Sequence, residues 1–429
     1  MIEIIKDKKD IENYLDILNK RGAMNGGQYL PTVQEIIADV IKNGDDALVK
    51  YTKKFDDSNF DIKDIEISKE EQKKAFESLD KNMQDVLIKA KERVYDYHTH
   101  QLRKTFLYEG SLGEKLGQRI TPLERVGVYV PGGKAAYPSS VIMNVMPAKV
   151  AGCKNITMVT PAPKGEINKN VIAAAYVCGV DHVYKIGGAQ AIAALAYGTK
   201  SIPAVDKITG PGNIFVALAK KEVYGKVGID SVAGPSEVLV IADETSNPKF
   251  IAADLMAQAE HDEIASSTLL TTSKEVALKT VEWINEFLKI SSRKEILEKS
   301  LTNCSKIILV NNLDEAVKLS NMIAPEHLEI SIDNPYPLVD KLTNAGAIFI
   351  GHYSVEALGD YMAGPNHTLP TCGTARFFSP LGVDDFIKKT SLIEFDKESA
   401  KALAKDVDTF AKAEGLEMHA LSARLRGEE

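Results

Sequence analysis

From residue 125 onward, short apolar runs alternate with stretches that have the apolar spacing of a helix. The predicted strands are 126–130, 156–159, 182–186 and 205–209, and the predicted helices are 139–150, 168–178, 189–197 and 213–224. Strands and helices in regular alternation are typical of a parallel sheet with helices on both of its faces. The pattern therefore predicts an α/β module of four strand-helix units.

A second series of apolar runs predicts another parallel sheet further along the chain. Its strands are expected at 236–242, 267–271, 306–310, 328–332 and 347–350. After residue 374 the strand pattern fades, and two helical stretches end the sequence. The domains predicted from these changes are an N-terminal helical arm (1–25), an α/β domain in two pieces (26–122 and 235–376), an inserted α/β domain (123–234) and a C-terminal helical tail (377–429).

The segment before residue 125 is predicted to be largely helical. Thr32 and Glu35 have the spacing of a capping box, and apolar residues recur at helical spacing over 33–41. A long helix is predicted at about 81–106, and it carries His98 and His100. Because positions two apart point to different sides of a helix, both histidines are predicted to lie at the surface.

A corner between a predicted helix and a predicted strand carries two ionisable residues side by side, Glu326 and His327. Apolar residues precede the corner at helical spacing over 316–323 and follow it in alternation over 328–332, while Pro325 marks the break. His titrates near neutral pH and Glu can act as a second base, so the pair is a candidate site of proton transfer. A solvent-facing turn is the commoner explanation when the pair is considered alone.

Four residues could bind a metal ion. Gln258 and His261 stand at i and i+3 of a helix predicted at 250–263, so they face the same way. Asp360 lies near the end of the second module, and His419 lies in the tail. Nitrogen and oxygen donors without sulfur suit Zn²⁺ with a position left for substrate, although a glutamine ligand is unusual. Capping or pairing within the fold, with His419 at the surface, explains the same residues.

Glycine-containing turns follow strands of the first module. They are Pro131-Gly132-Gly133, Gly187-Gly188 and Gly210-Pro211-Gly212. A tight turn before a helix N-terminus can bind a phosphate group. The third turn comes closest to a dinucleotide-binding fingerprint, but Phe215 stands where the third small residue is required. The fingerprint is therefore weak, and a purely structural turn explains the sequence equally well.

The composition is typical of a soluble globular protein that acts on a small molecule. The chain has 429 residues, 26% of them charged, a net charge of -8 and a pI of about 5.7, which argue against a nucleic-acid surface. We find no apolar run that could span a bilayer and no signal-peptide core, so a cytoplasmic location is expected. The widely spaced Cys153, Cys178, Cys304 and Cys372 are predicted to be reduced thiols.

Taken together, these motifs resemble the histidinol dehydrogenase family. The matching stretches are RVGVYVPGG (125–133), GGAQA (187–191), TGPGN (209–213), AGPSE (233–237), QAEH (258–261), APEH (324–327), GDY (359–361), GPNHTLPT (364–371) and EGL (414–416). They are uncommon, they occur in order, and they are distributed from residue 125 to residue 416. The resemblance implies an NAD-dependent enzyme that oxidises L-histidinol through L-histidinal to L-histidine, with two NAD per histidinol.

The resemblance also implies a fold, a cofactor and a role for each site residue. The fold would be two Rossmann-like modules similar to those of aldehyde dehydrogenases, with NAD in the inserted domain and one zinc ion per subunit in the other. Glu326 and His327 would be the catalytic bases. Zinc and substrate would be bound by Gln258, His261, Asp360 and His419. Substrate would also be contacted by Ser236, Glu414 and the catalytic His327, and NAD by Tyr129, Gln190 and Asn213. His419 and Glu414 would come from the partner subunit of a homodimer.

Three other functions remain open at this stage. A cysteine-dependent aldehyde dehydrogenase would need a reactive thiolate at a turn, whereas Cys153 and Cys178 are better explained as packing residues. A non-catalytic protein with two lobes around a small ligand fits the paired modules but leaves Glu326 and His327 without a task. A zinc hydrolase could use Glu326 and a metal-bound water without any dinucleotide.

Overall fold

A computed structural model describes residues 2–23, 26–132 and 137–428, and it begins with a strand and five helices. The elements of this N-terminal part are β1 (Glu3–Ile5), α1 (Lys8–Ala23), α2 (Leu30–Asn43), α3 (Asp45–Phe55), α4 (Lys69–Glu77), α5 (Lys81–Thr99), β2 (Phe106–Glu109) and β3 (Lys115–Pro122). Two of our expectations fail here. Helix α2 begins at Leu30 with Pro31 in its first turn, so Thr32 lies inside the helix and the capping box is wrong. His98 is buried, with its Nδ1 2.7 Å from the Val94 carbonyl.

The first module is a parallel sheet, as predicted, but it has five strands where four were expected. Its elements are β4 (Arg125–Tyr129), α6 (Pro138–Ala151), β5 (Asn155–Thr160), α7 (Lys169–Cys178), β6 (His182–Lys185), α8 (Gly188–Tyr197), β7 (Lys207–Thr209), α9 (Ile214–Val223) and β8 (Gly228–Ile229). The strand order is β6-β5-β4-β7-β8. From β4 the chain adds β5 and β6 on one side, and it then returns to add β7 and β8 on the other side of β4. The short strand β8 was not predicted. Gly133, in the first predicted glycine turn, lies outside the described residues.

The second module is a six-stranded parallel sheet. Its elements are β9 (Glu237–Ala242), α10 (Pro248–Ala259), β10 (Ser266–Thr271), α11 (Lys274–Leu288), α12 (Lys294–Asn303), β11 (Lys306–Leu309), α13 (Leu313–Ile323), β12 (His327–Ser331), α14 (Tyr336–Val339), β13 (Ala347–Ile350) and α15 (Glu356–Tyr361). The order is β1-β11-β10-β9-β12-β13, and β1 aligns Glu3 with Lys306. Both central strands, β9 and β10, are buried along their whole length, which explains the apolar run Val238–Ala242 of β9.

Two features of the C-terminal part differ from expectation. After α15 the chain forms β14 (Ile387–Glu394), α16 (Lys397–Ala413) and α17 (Glu417–Glu428). Strand β14 pairs antiparallel with β3, which pairs with β2, so the chain holds a third sheet that the sequence did not reveal. This sheet is exposed, and Phe106, Leu107 and Tyr108 are 52%, 51% and 56% accessible. Its strands therefore lack the apolar runs by which the other two sheets were recognised.

The buried cores show which elements pack together. Helices α2 and α3 share a core with one set of first-module residues, while α5 shares a core with β4, β5 and α6. Helix α1 packs instead on one face of the second sheet through Ile11, Tyr14 and Leu18. The division into domains stays a prediction, but most helices of 26–122 lie against the first module. Within the described ranges, no helix is long and apolar enough to cross a bilayer.

Helices α16 and α17 form a hairpin at the end of the chain. They pack extensively against each other, and within the described residues no other element packs comparably against either helix. The hairpin leaves Phe410 and Met418 71% and 70% exposed. An apolar surface of this kind normally lies against a partner, so the hairpin is a candidate interface.

Candidate active site

Glu326 and His327 lie at the amino-terminal edge of the second sheet. Helix α13 ends at Ala324, whose backbone is left-handed (φ 53°, ψ 63°), and Pro325 prevents the helix from continuing. His327 is the first residue of β12, a strand that pairs with β9 on one side and β13 on the other. Both side chains are buried. The predicted corner is therefore confirmed, but it is an interior position and not a solvent-facing turn.

The backbone of Glu237, the first residue of β9, holds both groups. Its N–H donates to Glu326 Oε2 at 2.9 Å, and its carbonyl lies 3.0 Å from His327 Nδ1. A carbonyl can only accept, so Nδ1 carries the proton and donates. His327 Nε2 is then an unprotonated acceptor, and it has no hydrogen-bond partner among the described residues. This is the tautomer that a base requires.

Burial shifts the pKa of both groups. It lowers the pKa of His327 to about 3, which keeps the imidazole neutral near pH 7. It raises the pKa of Glu326 well above the ordinary value, an effect that the Glu237 N–H partly opposes and the Glu237 and Asp360 carboxylates increase. A carboxylate with a raised pKa is a stronger base than an exposed one, so Glu326 is suited to take a proton from water.

A group of metal-type donors lies beside the pair. Donor atoms of His261, Glu356 and Asp360 all lie within 4.8 Å of one another, and Asp360 Oδ1 is 3.9 Å from His327 Nε2. Helix α10 ends at Ala259, so the predicted helix to residue 263 is wrong, and His261 reaches the group from the following turn. One imidazole and two carboxylates are donors that suit Zn²⁺.

Gln258 is buried next to this group at the end of α10. Its amide nitrogen donates to Glu356 Oε1 at 2.5 Å, and its amide oxygen lies 2.6 Å from the Glu237 nitrogen, so Gln258 and Glu326 share the Glu237 N–H. Glu356 was not identified from the sequence. It stands four residues before Asp360 on α15, so the two share a helix face, and that spacing could have revealed it.

A buried carboxylate pair, Asp254 and Glu329, lies behind the donor group. Glu329 Oε1 accepts the backbone N–H of Glu356 at 2.8 Å. Burial raises the pKa of Asp254 to about 6, and it raises the pKa of Glu329 further above its usual range, with Asp254 adding to the effect. The folded protein therefore binds more protons here than the unfolded chain does between about pH 4 and pH 6.

We expect Asp254→Asn to make the zinc-free protein more stable at pH 8. With a folded pKa above the unfolded one, the contribution of Asp254 is fully present below about pH 4 and is lost as pH rises through about 6. Asn does not titrate, so the stability of the variant relative to the parent should rise by roughly 1–2 kcal/mol between pH 5 and pH 8. Urea unfolding at both pH values measures this. The exposed Glu282→Gln serves as control, and an equal gain at both pH values would contradict the titration argument.

A cavity of about 1180 Å³ opens in front of His327 and Asp360. Its other wall is formed by β2, β3 and the loop that precedes β14, including Phe106 and Ile120. His367 also lines it, with a buried Nε2 that has no partner among the described residues. The volume suffices for a small substrate together with part of a dinucleotide.

The residues expected to contact NAD lie at the carboxyl edge of the first sheet. Tyr129 ends β4, Gln190 lies in the first turn of α8, and Asn213 precedes α9, around the point where the strand order reverses. The Gly188 N–H donates to the Tyr129 hydroxyl at 3.2 Å, and Asn213 Oδ1 caps α9 by accepting from Phe215 and Val216. Nucleotides bind at such a reversal point in open α/β sheets.

The turn at Gly210 is held rigidly beside Tyr129. Its φ is 110°, and a Cβ at Gly210 would come within 2.0 Å of the Tyr129 carbonyl oxygen, so only glycine fits. The Gly210 N–H donates to Asp230 Oδ2 at 2.8 Å, while buried Lys220 donates to its carbonyl at 2.9 Å. The need for glycine at position 210 is therefore explained by the structure of the turn, whether or not the turn binds a phosphate group.

Three predicted site residues are placed differently from the rest. Ser236 lies beside the site, directly before β9, where its carbonyl accepts from the Ser266 N–H. Glu414 and His419 lie exposed in the C-terminal hairpin, and His419 does not belong to the donor group found among the described residues. A single subunit thus brings together Gln258, His261 and Asp360 without His419.

The four thiols do not suit nucleophilic catalysis. All are free, and burial raises the pKa of Cys153 to about 11 and those of Cys178 and Cys372 to about 12. The pKa of Cys304 is raised as well. A catalytic cysteine needs a lowered pKa, so these values argue against a cysteine-dependent aldehyde dehydrogenase.

Comparison with known proteins agrees with this geometry. The family model described as histidinol dehydrogenase matches residues 19–427. A histidinol dehydrogenase from Clostridium acetobutylicum is 51% identical over 428 residues, covering 99% of each chain. The crystal structure of histidinol dehydrogenase from Elizabethkingia anophelis superposes with a TM-score of 0.93 at 36% identity, covering 99% of this chain and 98% of that one. An acetylating aldehyde dehydrogenase from Geobacillus thermoglucosidasius shares the fold alone, with a TM-score of 0.50 at 12% identity over 90% and 96% of the two chains. The chain described here belongs to the histidinol dehydrogenase family.

Proposed function

We propose that this protein oxidises L-histidinol through L-histidinal to L-histidine, with two NAD as hydride acceptors, in histidine biosynthesis. The observation that carries the proposal is the buried pair Glu326 and His327, held by the Glu237 backbone and facing a cavity beside metal-type donors. Membership of the family supports the reaction. The alternatives of a binding protein or a hydrolase leave one of the two bases, or the dinucleotide edge of the first sheet, without a task.

Zinc fits the donors that this chain presents. Gln258, His261 and Asp360 would bind it, with His419 supplied by a second subunit. His261 and Asp360 already lie in one group, and Gln258 contacts Glu356 within it. When bound, the ion would supply a Lewis acid that orients the nitrogen groups of the substrate. The buried Nε2 of His327 faces the same space and has no hydrogen-bond partner in the part of the chain that the structure describes, which leaves it available to a substrate.

NAD fits the carboxyl edge of the first sheet, at the point where the connections that follow β4 and β7 run in opposite directions. Tyr129, Gln190 and Asn213 would contact it there, and the Gly210 turn lets its backbone approach closely. When bound, NAD would supply the hydride acceptor for each of the two oxidations.

The protein's own groups would perform four proton transfers. In the first oxidation, His327 Nε2 takes the hydroxyl proton of histidinol as a hydride leaves the carbon that bears this hydroxyl, which gives histidinal. Glu326 then takes a proton from a water molecule, whose oxygen adds to the aldehyde carbon, while His327 returns its proton to the aldehyde oxygen. This gives the neutral hydrate and restores Nε2 as a base. In the second oxidation, His327 takes a hydrate proton as another hydride leaves, which gives the carboxylic acid of histidine. Two different proton removals explain two adjacent bases.

The proposed enzyme is a homodimer with shared sites, and cytoplasmic location remains a prediction. The C-terminal hairpin supports the dimer, because it carries His419 and Glu414 and leaves its apolar side chains uncovered by its own chain. The exposed aromatic residues of β2 form a second surface of the same kind, next to the cavity.

One histidinol should reduce two NAD, with no free histidinal accumulating. Both oxidations use the same base in the same cavity, so the intermediate need not leave. Absorbance at the NADH wavelength, measured with limiting histidinol and excess NAD, gives the ratio. An aldehyde-trapping reagent in a parallel reaction is the control. A ratio of one, with histidinal recovered in the trap, would contradict the proposal, and absence of NADH would reject a dehydrogenase altogether.

A further inference from the structure

A buried ion pair that the proposed mechanism does not use joins α1 to the start of β9. Arg21 Nη1 lies 3.4 Å from Glu237 Oε1, and each side chain is 5% exposed. Arg21 belongs to the N-terminal helix, which also contacts the second sheet through apolar packing and through the Tyr14 hydroxyl. A buried pair of this kind is weak evidence for stability, because the cost of removing both charges from water offsets their attraction.

The guanidinium of Arg21 contacts three consecutive residues. In addition to the Glu237 carboxylate, its Nη2 donates to the Ser236 carbonyl at 3.2 Å and lies 3.4 Å from the Pro235 carbonyl. The planar, forked shape of the guanidinium allows one side chain to fix several acceptors at once. Arg21 therefore anchors the segment that leads into β9.

The anchored segment is the one that holds the two bases. The N–H of Glu237 donates to Glu326, and its carbonyl accepts from His327, so both hydrogen bonds depend on where this one residue lies. Ser236, the predicted substrate contact, is bound in the same way. A displacement of about 1 Å in such a segment can cost on the order of 10² in rate.

We propose that Arg21 is a positioning residue for the oxidation: it fixes Pro235–Glu237 so that the Glu237 backbone orients Glu326 and selects the reactive tautomer of His327. This inference rests on the proposed function for the roles of the two bases. The effect of Arg21 on the tautomer of His327 is independent of that function, because the tautomer can be measured without any assay of activity.

The test compares Arg21→Met, Arg21→Lys and the double variant Arg21→Met/Glu237→Gln with Tyr14→Phe as control. Tyr14 also lies on α1, but its hydroxyl is hydrogen-bonded to Thr268 Oγ1 at 2.6 Å and to the Cys304 carbonyl at 3.1 Å, and not to the 235–237 segment. Arg21→Met leaves a buried carboxylate unpaired and should lower the unfolding temperature, whereas the double variant removes both charges and should recover much of it.

We expect kcat to fall about 30- to 100-fold in Arg21→Met, with KM for histidinol within about threefold and zinc content unchanged. Arg21→Lys should recover part of kcat. The double variant should recover stability while kcat stays low, and Tyr14→Phe should keep kcat within about twofold. A double variant with parental kcat would overturn the inference, because activity would then follow stability alone.

Nitrogen NMR of ring-labelled histidine provides the second readout, with His327→Asn used to assign the signal. The parent protein should show His327 protonated at Nδ1 and bare at Nε2, and Arg21→Met should show a mixture of tautomers. If the parent failed to reduce NAD with histidinol, the proposed function would fall, while this measurement would still decide the role of Arg21. An unchanged tautomer in Arg21→Met would contradict the inference.

Discussion

Replacing His327 by asparagine should slow both oxidations by about 10²- to 10⁴-fold, the contribution of a positioned base. The reason is geometric: its Nδ1 is committed to the Glu237 carbonyl, and Nε2 is directed toward the cavity without a partner among the described residues. Rapid-mixing measurement of NADH formation, started from histidinol or from histidinal, separates the two steps. His352→Asn is the matched control, because His352 contacts Ser331 and Asp333 at the opposite end of β12.

Glu326→Gln should separate the two steps in a way that His327→Asn does not. Only the oxidation of histidinal needs an activated water, so that step should slow by about 10² or more, and the alcohol oxidation by less than about tenfold. Glutamine preserves an acceptor for the Glu237 N–H, so the fold around the site is retained. Equal losses in both steps would contradict the division of work between Glu326 and His327.

A dimer of one His419→Ala chain and one His261→Ala chain should regain about half of the parental activity, although each variant is inactive by itself. If His419 serves the partner's site, one site of this mixed dimer receives both substitutions and the other receives neither. The structure supports this arrangement, because His261 lies in the donor group and His419 lies in the uncovered hairpin.

Two different affinity tags allow the mixed dimer to be isolated from the two parental forms. Its activity and its zinc content are then compared with those of each homodimer. The matched control pairs His261→Ala with His352→Ala, since the second change leaves a complete set of donors. No recovery in a confirmed mixed dimer of the first pair would mean that His419 acts within its own chain or has no role.

The sequence predicted the two large sheets well and the third sheet not at all. Strand β9 is buried on both faces, so five of its six residues, Val238–Ala242, form one apolar run. Strand β14 contains Lys388, Lys389 and Thr390 and is mostly exposed, so it lacks that pattern. Strand β1 has only three residues, which is too few for any periodicity to be recognised.

The site shows the same limit of local patterns. Glu326 and His327 were found because they are adjacent at a helix-to-strand corner, and Glu356 could have been found from its spacing to Asp360. Arg21 and Glu237 are 216 positions apart, and nothing near either residue indicates that they meet. His98 was placed wrongly because its helix is covered by the first module, a tertiary contact that helical spacing does not encode.

The pairing of β1 with β11 sets an order in which the protein can be built during translation. Glu3 aligns with Lys306, so strand β1 has no partner until about three hundred further residues have been added. At about 5 to 20 residues per second, that wait lasts roughly 15 to 60 s. The first module, whose strands lie between residues 125 and 229, is complete well before then. The N-terminal strand therefore joins the sheet late, and a nascent chain keeps this strand unpaired after all strands of the first module have been synthesised.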